Sequence, residues 1–455
     1  MHSSSAPDYL IALARFASAF RFADLPPPAA ERVRWVLADC LPVIAAGMQS
    51  TEMREFSGRH LQQAAPGTAW VIGTARCAHP LSAALLNGTA GTWLELDEGS
   101  TYAKGHPGIQ VVPAALGLAQ QHGLSGEALL AAVAVGYEVS SRINRAARIR
   151  EIVHPHGTFG VIGAAVAAAH LLRFDEKTML TLLNIAASMT MATSYRTLHD
   201  GATVRNIYTG HSGYMGQIAV ELAQSGFSGE RDGVATTFGE ILSDGFDPHA
   251  AIAGLGHEWM VADGYFKLHP TARSIQTAID AMEDLLTRLP AQGIDVERIR
   301  RVEVSTYRRA AQKTQKAVTT SFGAKFSIPF AMATLLFHRR SGLESFSERA
   351  VANPAIQRVA ANVNVSENPA HTAAYPQQQR CDLKVLLDDG TTLTGACAMT
   401  KGEPGNPISE QELTHKFFEL GSPIWSREVT QRLYDTFMQI ETVTDMRLLA
   451  GRFSL

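Results

Sequence analysis

The stretch CDLKVLLDDGTTLTGACAMT, residues 381–400, decides the fold class of this chain of 455 residues. Apolar and polar residues alternate on both sides of Asp389 and Gly390, which is the pattern of a β-hairpin closed by a tight turn. The run IRRVEVSTY (299–307) alternates in the same way, and VNV (363–365) is a short strand-like run. The sequence therefore predicts a small β-sheet in the second half of the chain.

Helical periodicity dominates the segments on both sides of these strands. Before residue 265, strand-like runs are nearly absent. The helical segments there are 8–20, 29–48, 80–95, 109–122, 125–145, 157–173, 176–193 and 210–225. Two more helices are predicted beside the strands, over 270–289 and 322–340, and helices return after KGEPGNP (401–407).

This arrangement indicates two medium domains in a chain too long for one compact unit. We predict a mostly α protein in which a large all-helical domain comprises residues 1–265 and 403–455. Residues 266–402 are predicted to form a smaller α+β domain inserted into it.

Composition excludes several classes of protein. The net charge is −3, so bulk charge does not attract nucleic acid or an anionic membrane surface. We find no N-terminal secretory signal and no apolar run of the roughly 20 residues that span a bilayer. The four cysteines (Cys40, Cys77, Cys381 and Cys397) form no Cys-x-x-Cys pair. We therefore predict a cytoplasmic protein that binds neither nucleic acid nor membrane.

Cofactor-binding motifs are absent from the sequence. It contains no P-loop, no dinucleotide-binding Gly-x-Gly-x-x-Gly after a strand, and no His-Glu-x-x-His. Gly210, Gly213 and Gly216 lie in a helical pattern, so we interpret them as a close-packing surface and not as a phosphate-binding loop. An enzyme with this sequence is expected to use its own side chains, without a cofactor or a metal.

Two polar clusters precede predicted helices in the first domain. WLELDEGSTYAKGHPG (93–108) contains Glu95, Asp97 and His106, and a solvated loop is the alternative interpretation. HPHGTFG (154–160) places His154 and His156 beside a helix N-terminus, which suits an anionic ligand or a proton donor. A metal pair is the other interpretation of these histidines, but no third ligand lies nearby in the sequence.

Two further clusters are basic. Arg205 lies in the otherwise uncharged part of DGATVRNIYTGHSG (200–213), where it can bind a carboxylate or form an ordinary ion pair. GYFKLHPTAR (264–273) contains Lys267, His269 and Arg273, and we predict that Pro270 lies in the first turn of the following helix. Positive charge at that helix N-terminus would favour an anion. Together the four clusters suit a site that binds a small polycarboxylate and moves a proton beside a carboxylate.

The ordered set of motifs resembles the MmgE/PrpD family over almost the whole chain. The motifs are NGTAGTWLELDE, HPHGTFG, VRNIYTGHSGYMGQIAVELAQSGFSG, YFKLHPTARSIQTAID, AKFSIPFAMA and KGEPGNPIS. The family includes 2-methylcitrate dehydratase, cis-aconitate decarboxylase and iminodisuccinate epimerase. The resemblance implies a homodimer in which an all-helical domain, built from both chain ends, carries an inserted α+β lid, with the active site between the two domains.

The resemblance also assigns site residues by position. The family histidines fall on His106 and His154, and the family lysine of the Tyr-x-Lys motif falls on Lys267. Several other positions differ from the family pattern: an aspartate is replaced by Glu95, a threonine by Gly99, a usual histidine by Thr92, a frequent lysine by Arg205, and Cys-Arg-x-x-His by Ala272-Arg273-Ser274-Ile275-Gln276.

A further family position falls on a residue without a polar group. Phe330 stands where the decarboxylase branch has a tyrosine, so a hydroxyl is missing there.

We therefore predict a lyase or epimerase acting on a small di- or tricarboxylate. Arg205, Lys267 and Arg273 would bind carboxylates and stabilise enolate-like charge. His156 and His269 are further candidates for substrate binding. The substrate and the choice between dehydration, decarboxylation and epimerisation are left open.

Proton transfer is assigned to His106 and His154, with Glu95 or Asp97 orienting one of them. A catalytically silent carboxylate-binding paralogue, or a structural dimer, is the alternative. A metal-dependent hydro-lyase, with metal bound by the carboxylates and histidines, is a third hypothesis.

Overall fold

The computed structural model describes residues 6–290 and 293–452, and it is mostly helical, as predicted. The α-helices of eight or more residues in these ranges are α1 (Asp8–Ala19), α2 (Pro27–Met48), α3 (Thr51–Gln63), α4 (Pro80–Gly91), α5 (Pro107–His122), α6 (Gly126–Ala146), α7 (Phe159–Leu171), α8 (Glu176–Ser188), α9 (Ile207–Gln224), α10 (Arg273–Thr287), α11 (Ile328–His338), α12 (Pro354–Ala361) and α13 (Glu410–Met438). The shorter α-helices are Arg196–His199, Gly233–Ala235, Pro248–Ile252, Arg308–Ala311, Ser321–Ala324, Glu348–Val351, Pro369–Ala374 and Arg447–Arg452. None of the helices described is long and apolar enough to cross a membrane.

Local sequence sets where several helices begin. The Ser125 hydroxyl accepts a hydrogen bond from the Ala128 N–H and so caps α6. Ser409 and Glu412 cap α13 reciprocally, each side chain accepting from the other residue's backbone N–H. These caps satisfy N–H groups that the first helical turn leaves without intrahelical partners.

Close packing of helices in the first half of the chain depends on small residues. A Cβ atom added at Gly88 of α4 would lie 2.8 Å from the Cα atom of Gly210 on α9. A Cβ atom added at Gly216 would lie 2.6 Å from the Cβ atom of Ala164 on α7. The interpretation of the glycine run over 210–216 as a packing surface is therefore confirmed.

The predicted sheet is present in the second half of the chain. Its strands are β1 (Ile299–Thr306), β2 (Val363–Glu367), β3 (Cys381–Leu387) and β4 (Thr392–Cys397), in the order β4-β3-β1-β2. β1 and β2 are parallel, whereas β3 is antiparallel to both β1 and β4. The hairpin prediction for residues 381–400 is confirmed, and Gly390 takes the left-handed conformation in its turn, with φ +86°.

Short antiparallel pairs occur among the helices that precede α10. They join Ala69–Trp70 to Cys77–Ala78, Gly99–Ser100 to Gly264–Tyr265, and Ala147–Ile149 to Ser243–Phe246.

Two predicted helices differ from the structure at their N-terminal ends. The predicted helix over 270–289 begins at Arg273, so the placement of Pro270 in its first turn is wrong. The predicted helix over 322–340 is divided into Ser321–Ala324 and α11, because the Ser327 side chain caps a new helix by accepting from the Phe330 N–H.

The buried apolar residues form two large clusters. One is drawn from residues 9–266 and 408–449, and the other from residues 275–387. The chain passes between the clusters over 267–274 and again over 388–407. The domain boundaries at 265/266 and 402/403, and the description of the inserted part as a lid, stay predictions.

Candidate active site

A cavity of about 580 Å³ lies between the two clusters of apolar residues. Its lining includes six of the nine side chains that the sequence predicts for the site: Glu95, His106, His154, His156, Arg205 and Arg273. Asp97 and Lys267 are fully buried directly behind this lining, in contact with residues that form it. The structure does not bring His269 to the cavity.

Four of the polar lining residues lie just before helices in the part of the chain that forms the first apolar cluster. His106 is the residue before α5, and His154 and His156 lie on the loop before α7. Arg205 lies on the 3₁₀ turn Thr203–Asn206 that leads into α9. Helix N-termini present unpaired N–H groups and a positive end of the dipole, so this arrangement favours an anionic ligand.

Glu95 is the centre of a buried ion cluster. Its Oε1 lies 2.5 Å from Nη1 of Arg205, and its Oε2 lies 3.4 Å from Nζ of Lys267. Lys267 also donates to the Glu95 carbonyl at 3.1 Å and lies 3.6 Å from Oδ1 of Asp97. Glu95 adopts the left-handed conformation, with φ +57°, which turns its backbone carbonyl toward the Lys267 ammonium. Lys267 therefore acts on the cavity through the two carboxylates it holds.

His106 has a defined tautomer. Its Nδ1 lies 2.7 Å from the Glu98 carbonyl oxygen, which can only accept, so Nδ1 carries the proton. Asp97 Oδ2 lies 2.9 Å from the same Nδ1. Nε2, on the opposite side of the ring, lies 3.5 Å from the Tyr265 hydroxyl and is left as an acceptor facing the cavity. This is the geometry of a general base supported by a carboxylate.

The Asp97 carboxyl is held ionised. Burial raises the pKa of Asp97, but the positive charges of His106, Lys267 and Arg205 outweigh that effect and lower it below its ordinary value. Glu98 behaves differently, because burial raises the pKa of its carboxyl to about 8. Adjacent carboxyls thus differ in charge at neutral pH, and Asp97 is the one able to stabilise a protonated His106.

His154 and His156 are neutral at pH 7. Burial lowers the pKa of both imidazoles well below the ordinary value, and the charge of Arg205 lowers it further. His154 Nδ1 accepts from the His156 N–H at 3.1 Å, while Arg205 Nε lies 3.4 Å from His154 Nε2. A neutral ring carries one proton, so both contacts cannot be hydrogen bonds at once. A ligand oxygen that accepts from Arg205 and from a protonated Nε2 would satisfy both groups.

Arg273 contributes a cation from the other side of the cavity. Its Nε donates to Glu403 Oε1 at 2.9 Å, and its guanidinium carbon lies 4.4 Å from the centroid of the Tyr265 ring. Its buried Nη2 has no hydrogen-bond partner within residues 6–290 and 293–452. That nitrogen is available to a carboxylate ligand.

His269 has structural partners outside the cavity. Its Nε2 lies 3.2 Å from Asp280 Oδ1 and 3.8 Å from Glu283 Oε2. Burial lowers the pKa of His269, but these two acids more than offset it, so that the pKa is raised. The ion pair joins the connection before α10 to that helix.

Sequence reasoning missed several lining residues. They are Tyr195, Tyr265, Tyr307, Arg309, Lys313 and Tyr375. Tyr265 stands within the quoted run GYFKLHPTAR, so a tyrosine beside the family lysine was a usable signal. The others follow β1 or lie on connections whose contacts depend on the tertiary fold. Phe330, in contrast, is fully buried in the second apolar cluster and does not line the cavity.

Two groups in the described part of the chain have metal-ligand chemistry. Asp97, His106 and His156 each offer a ligand atom, and these atoms lie within 4.8 Å of one another. The same is true of His269, Asp280 and Glu283. The absence of a bound metal therefore stays a prediction.

The chain is similar over most of its length to several known proteins. A cis-aconitate decarboxylase-like protein, oryM, from Aspergillus oryzae is 24% identical over 471 residues, covering 95% of this chain and 94% of the relative. The cis-aconitate decarboxylase of Aspergillus terreus is 22% identical over 453 residues, covering 93% and 91%. The mouse (Mus musculus) cis-aconitate decarboxylase is 24% identical over 397 residues, covering 81% and 78%.

Family models give a more general result. The model of the MmgE/PrpD N-terminal domain matches residues 11–250, and that of the MmgE/PrpD C-terminal domain matches residues 269–440. The two matches cover most of the chain and include every residue of the cluster around Glu95 except Lys267. The chain belongs to the MmgE/PrpD family.

Proposed function

We propose that this protein is a cofactor-independent lyase that acts on a small tricarboxylate by proton transfer beside a carboxylate. The observation that carries the proposal is the position of His106, whose Nε2 faces the cavity while Asp97 lies against Nδ1. The relatives named as cis-aconitate decarboxylases support the choice of a tricarboxylate.

Substrate carboxylates would bind to the two arginines that line the cavity. One carboxylate accepts from Arg205 and from the protonated Nε2 of His154, which resolves the conflict between those two donors. A second accepts from Nη2 of Arg273, which has no other partner in the described chain. Charge-assisted bonds of this type fix orientation as well as supplying affinity.

Charge development explains why cations surround the proton-transfer group. Removing a proton beside a carboxylate leaves negative charge that spreads onto that carboxylate. Losing carbon dioxide leaves the negative charge on carbon, where a remaining conjugated carboxylate can share it. Arg205 and Arg273, whose side chains are largely buried, stabilise that charge. Glu95 positions Arg205, and Lys267 holds Glu95 from behind the lining.

His106 would carry the proton in either reaction. In dehydration, Nε2 of His106 removes a proton, and the hydroxyl group leaves as water after protonation by a second donor. In decarboxylation, carbon dioxide leaves first, and the imidazolium form of His106, stabilised by Asp97, gives its Nε2 proton to the resulting carbanion. Tyr265, at 3.5 Å from Nε2, is positioned to exchange that proton. The relatives favour decarboxylation, and epimerisation is retained only as an outcome of the test.

Proton NMR in heavy water tests the proposal directly. Purified protein would be incubated with cis-aconitate, 2-methylcitrate, citrate and iminodisuccinate. We expect a tricarboxylate either to lose carbon dioxide, with deuterium entering the product, or to lose water, which introduces no deuterium. Deuterium entering an unchanged skeleton would indicate epimerisation.

Two controls define the negative result. The His106→Gln variant should remain folded and should give neither a new product nor exchange. A folded wild-type protein that changed none of the compounds would contradict the proposal and favour a silent carboxylate-binding protein.

Added EDTA should have no effect, whereas lost turnover would implicate the Asp97, His106 and His156 group in metal binding. The homodimer and the cytoplasmic location stay predictions.

A further inference from the structure

The cavity lining carries a large excess of positive charge. Seven lysine or arginine side chains line it, against two carboxylates, Glu95 and Glu151. Such an excess near a partly enclosed cavity attracts anions unless the cations are neutralised locally. The partners of each cation therefore decide which of them can serve a ligand.

Five of the seven cations already have strong acceptors. The pairs are Arg205 with Glu95, Arg273 with Glu403, Arg150 with Asp244, Arg308 with Glu367, and Lys104 with the Ala147 carbonyl. Arg273 keeps one free nitrogen, as described above.

Arg309 and Lys313 are the two cations that differ. Within residues 6–290 and 293–452, the only hydrogen bond of the Arg309 guanidinium goes to the Tyr195 hydroxyl oxygen, at 3.3 Å. The Lys313 ammonium has neither a hydrogen bond nor an ion pair in the same ranges. Neither cation has a carboxylate partner, although both line the cavity.

Contacts in the cavity wall fix where Arg309 and Lys313 lie relative to His154. Arg309 contacts Tyr195, and the Tyr195 ring lies 4.9 Å from the ring of His154, measured between centroids. Lys313 follows Arg309 by four residues, just after the short helix Arg308–Ala311. The Lys313 carbonyl accepts from the first residue of α11, Ile328, at 3.1 Å, which fixes the backbone at this point.

We infer that Arg309 and Lys313 bind the carboxylate that distinguishes a tricarboxylate from a dicarboxylate. The inference rests on the proposed function, in which Arg205 and Arg273 hold the two carboxylates next to the proton-transfer group. A third carboxylate would neutralise Arg309 and Lys313, which have no carboxylate partner in the described chain. Only the Tyr195 ring separates Arg309 from His154. Arg309 and Lys313 thereby determine substrate specificity, and they come from the part of the chain that contains the second apolar cluster.

Two unreactive ligands test this without turnover. Propane-1,2,3-tricarboxylate and pentanedioate (glutarate) have the same five-carbon chain and differ by one carboxylate. Calorimetric binding of both would be measured for the wild type and for Arg309→Gln, Lys313→Gln and the double variant. Lys316→Gln is the matched control, because its ammonium group bonds Ala361 and Asn364 outside the cavity. A thermal melt would confirm that each variant is folded.

Each single substitution should weaken binding of the tricarboxylate about tenfold, since it removes one charge-assisted contact. Binding of glutarate should change less than about twofold for every variant. The inference is overturned if both ligands weaken equally, if neither changes, or if the folded wild type binds neither. Failure of the proposed function would look different, because the protein would then bind the tricarboxylate selectively and still convert no substrate.

Discussion

Glu95 and Arg205 form a buried ion pair, with 2.5 Å between Oε1 and Nη1. At both positions the chain differs from the family motifs that it resembles, which have aspartate and often lysine there. Glutamate is longer than aspartate by one methylene, while the planar guanidinium of arginine replaces a point-like ammonium. Because the two changed residues contact each other, we interpret them as one coupled substitution and not as two separate losses of family site residues.

A double-mutant cycle tests this pairing. Glu95→Asp and Arg205→Lys should each lower kcat/KM about tenfold, because either change alone leaves the ion pair misaligned by the ~1 Å scale to which proton transfer is sensitive. Because either single change already disrupts the pair, the double variant should lose clearly less activity than the roughly 100-fold expected of independent changes, with a coupling free energy of about 1–3 kcal/mol.

Steady-state kinetics on whichever tricarboxylate is converted would measure the cycle. Glu138→Asp with Arg142→Lys is a matched control, because that buried ion pair lies outside the cavity lining. Additive losses in the Glu95 and Arg205 cycle would show that the two substitutions are independent.

Asp97→Asn should reduce kcat about 10²-fold while changing KM little. The substitution keeps the shape of the side chain but removes the negative charge beside His106 Nδ1, so a protonated imidazole is no longer stabilised. Rapid-quench or steady-state rates would give kcat, and circular dichroism would confirm the fold. Glu138→Gln removes another buried carboxylate and should lower stability without lowering kcat. An unchanged kcat in Asp97→Asn would remove His106 and Asp97 from the proposed mechanism.

Much of this architecture could be predicted from the sequence because its signals are local. Alternation on both sides of Asp389 and Gly390 predicted the hairpin, and clusters of polar residues before helices predicted most of the cavity lining. Tertiary contacts were not predictable in the same way. His269 stands two residues from Lys267, yet it pairs with Asp280, whereas Arg309 reaches the cavity from the short helix that follows β1.

Lys267 illustrates the same limit, because the sequence indicated its importance but not its burial. It is fully buried between Glu95 and Asp97. Lys267→Met should therefore lower the free energy of unfolding by about 3 kcal/mol, since two buried carboxylates lose a counter-charge. Urea denaturation would measure this, with the exposed Lys384→Met on β3 as the control, which should change stability little. Lost activity with unchanged stability would instead place the Lys267 ammonium on the substrate.

The stability of the fold should depend on pH through Glu98. Burial raises the pKa of this carboxyl from 4.5 to about 8, so the folded state keeps a proton that the unfolded state releases above pH 4.5. The contribution of protonated Glu98 to the free energy of unfolding is therefore complete below pH 4.5. It is lost as pH rises toward 8, by at most about 1.4 kcal/mol per pH unit. Urea unfolding at pH 6.5, 7.2 and 8 should show this slope in the wild type and a smaller slope in Glu98→Gln. The exposed Glu303→Gln should keep the wild-type slope, and an equal slope in Glu98→Gln would assign the pH dependence to other groups.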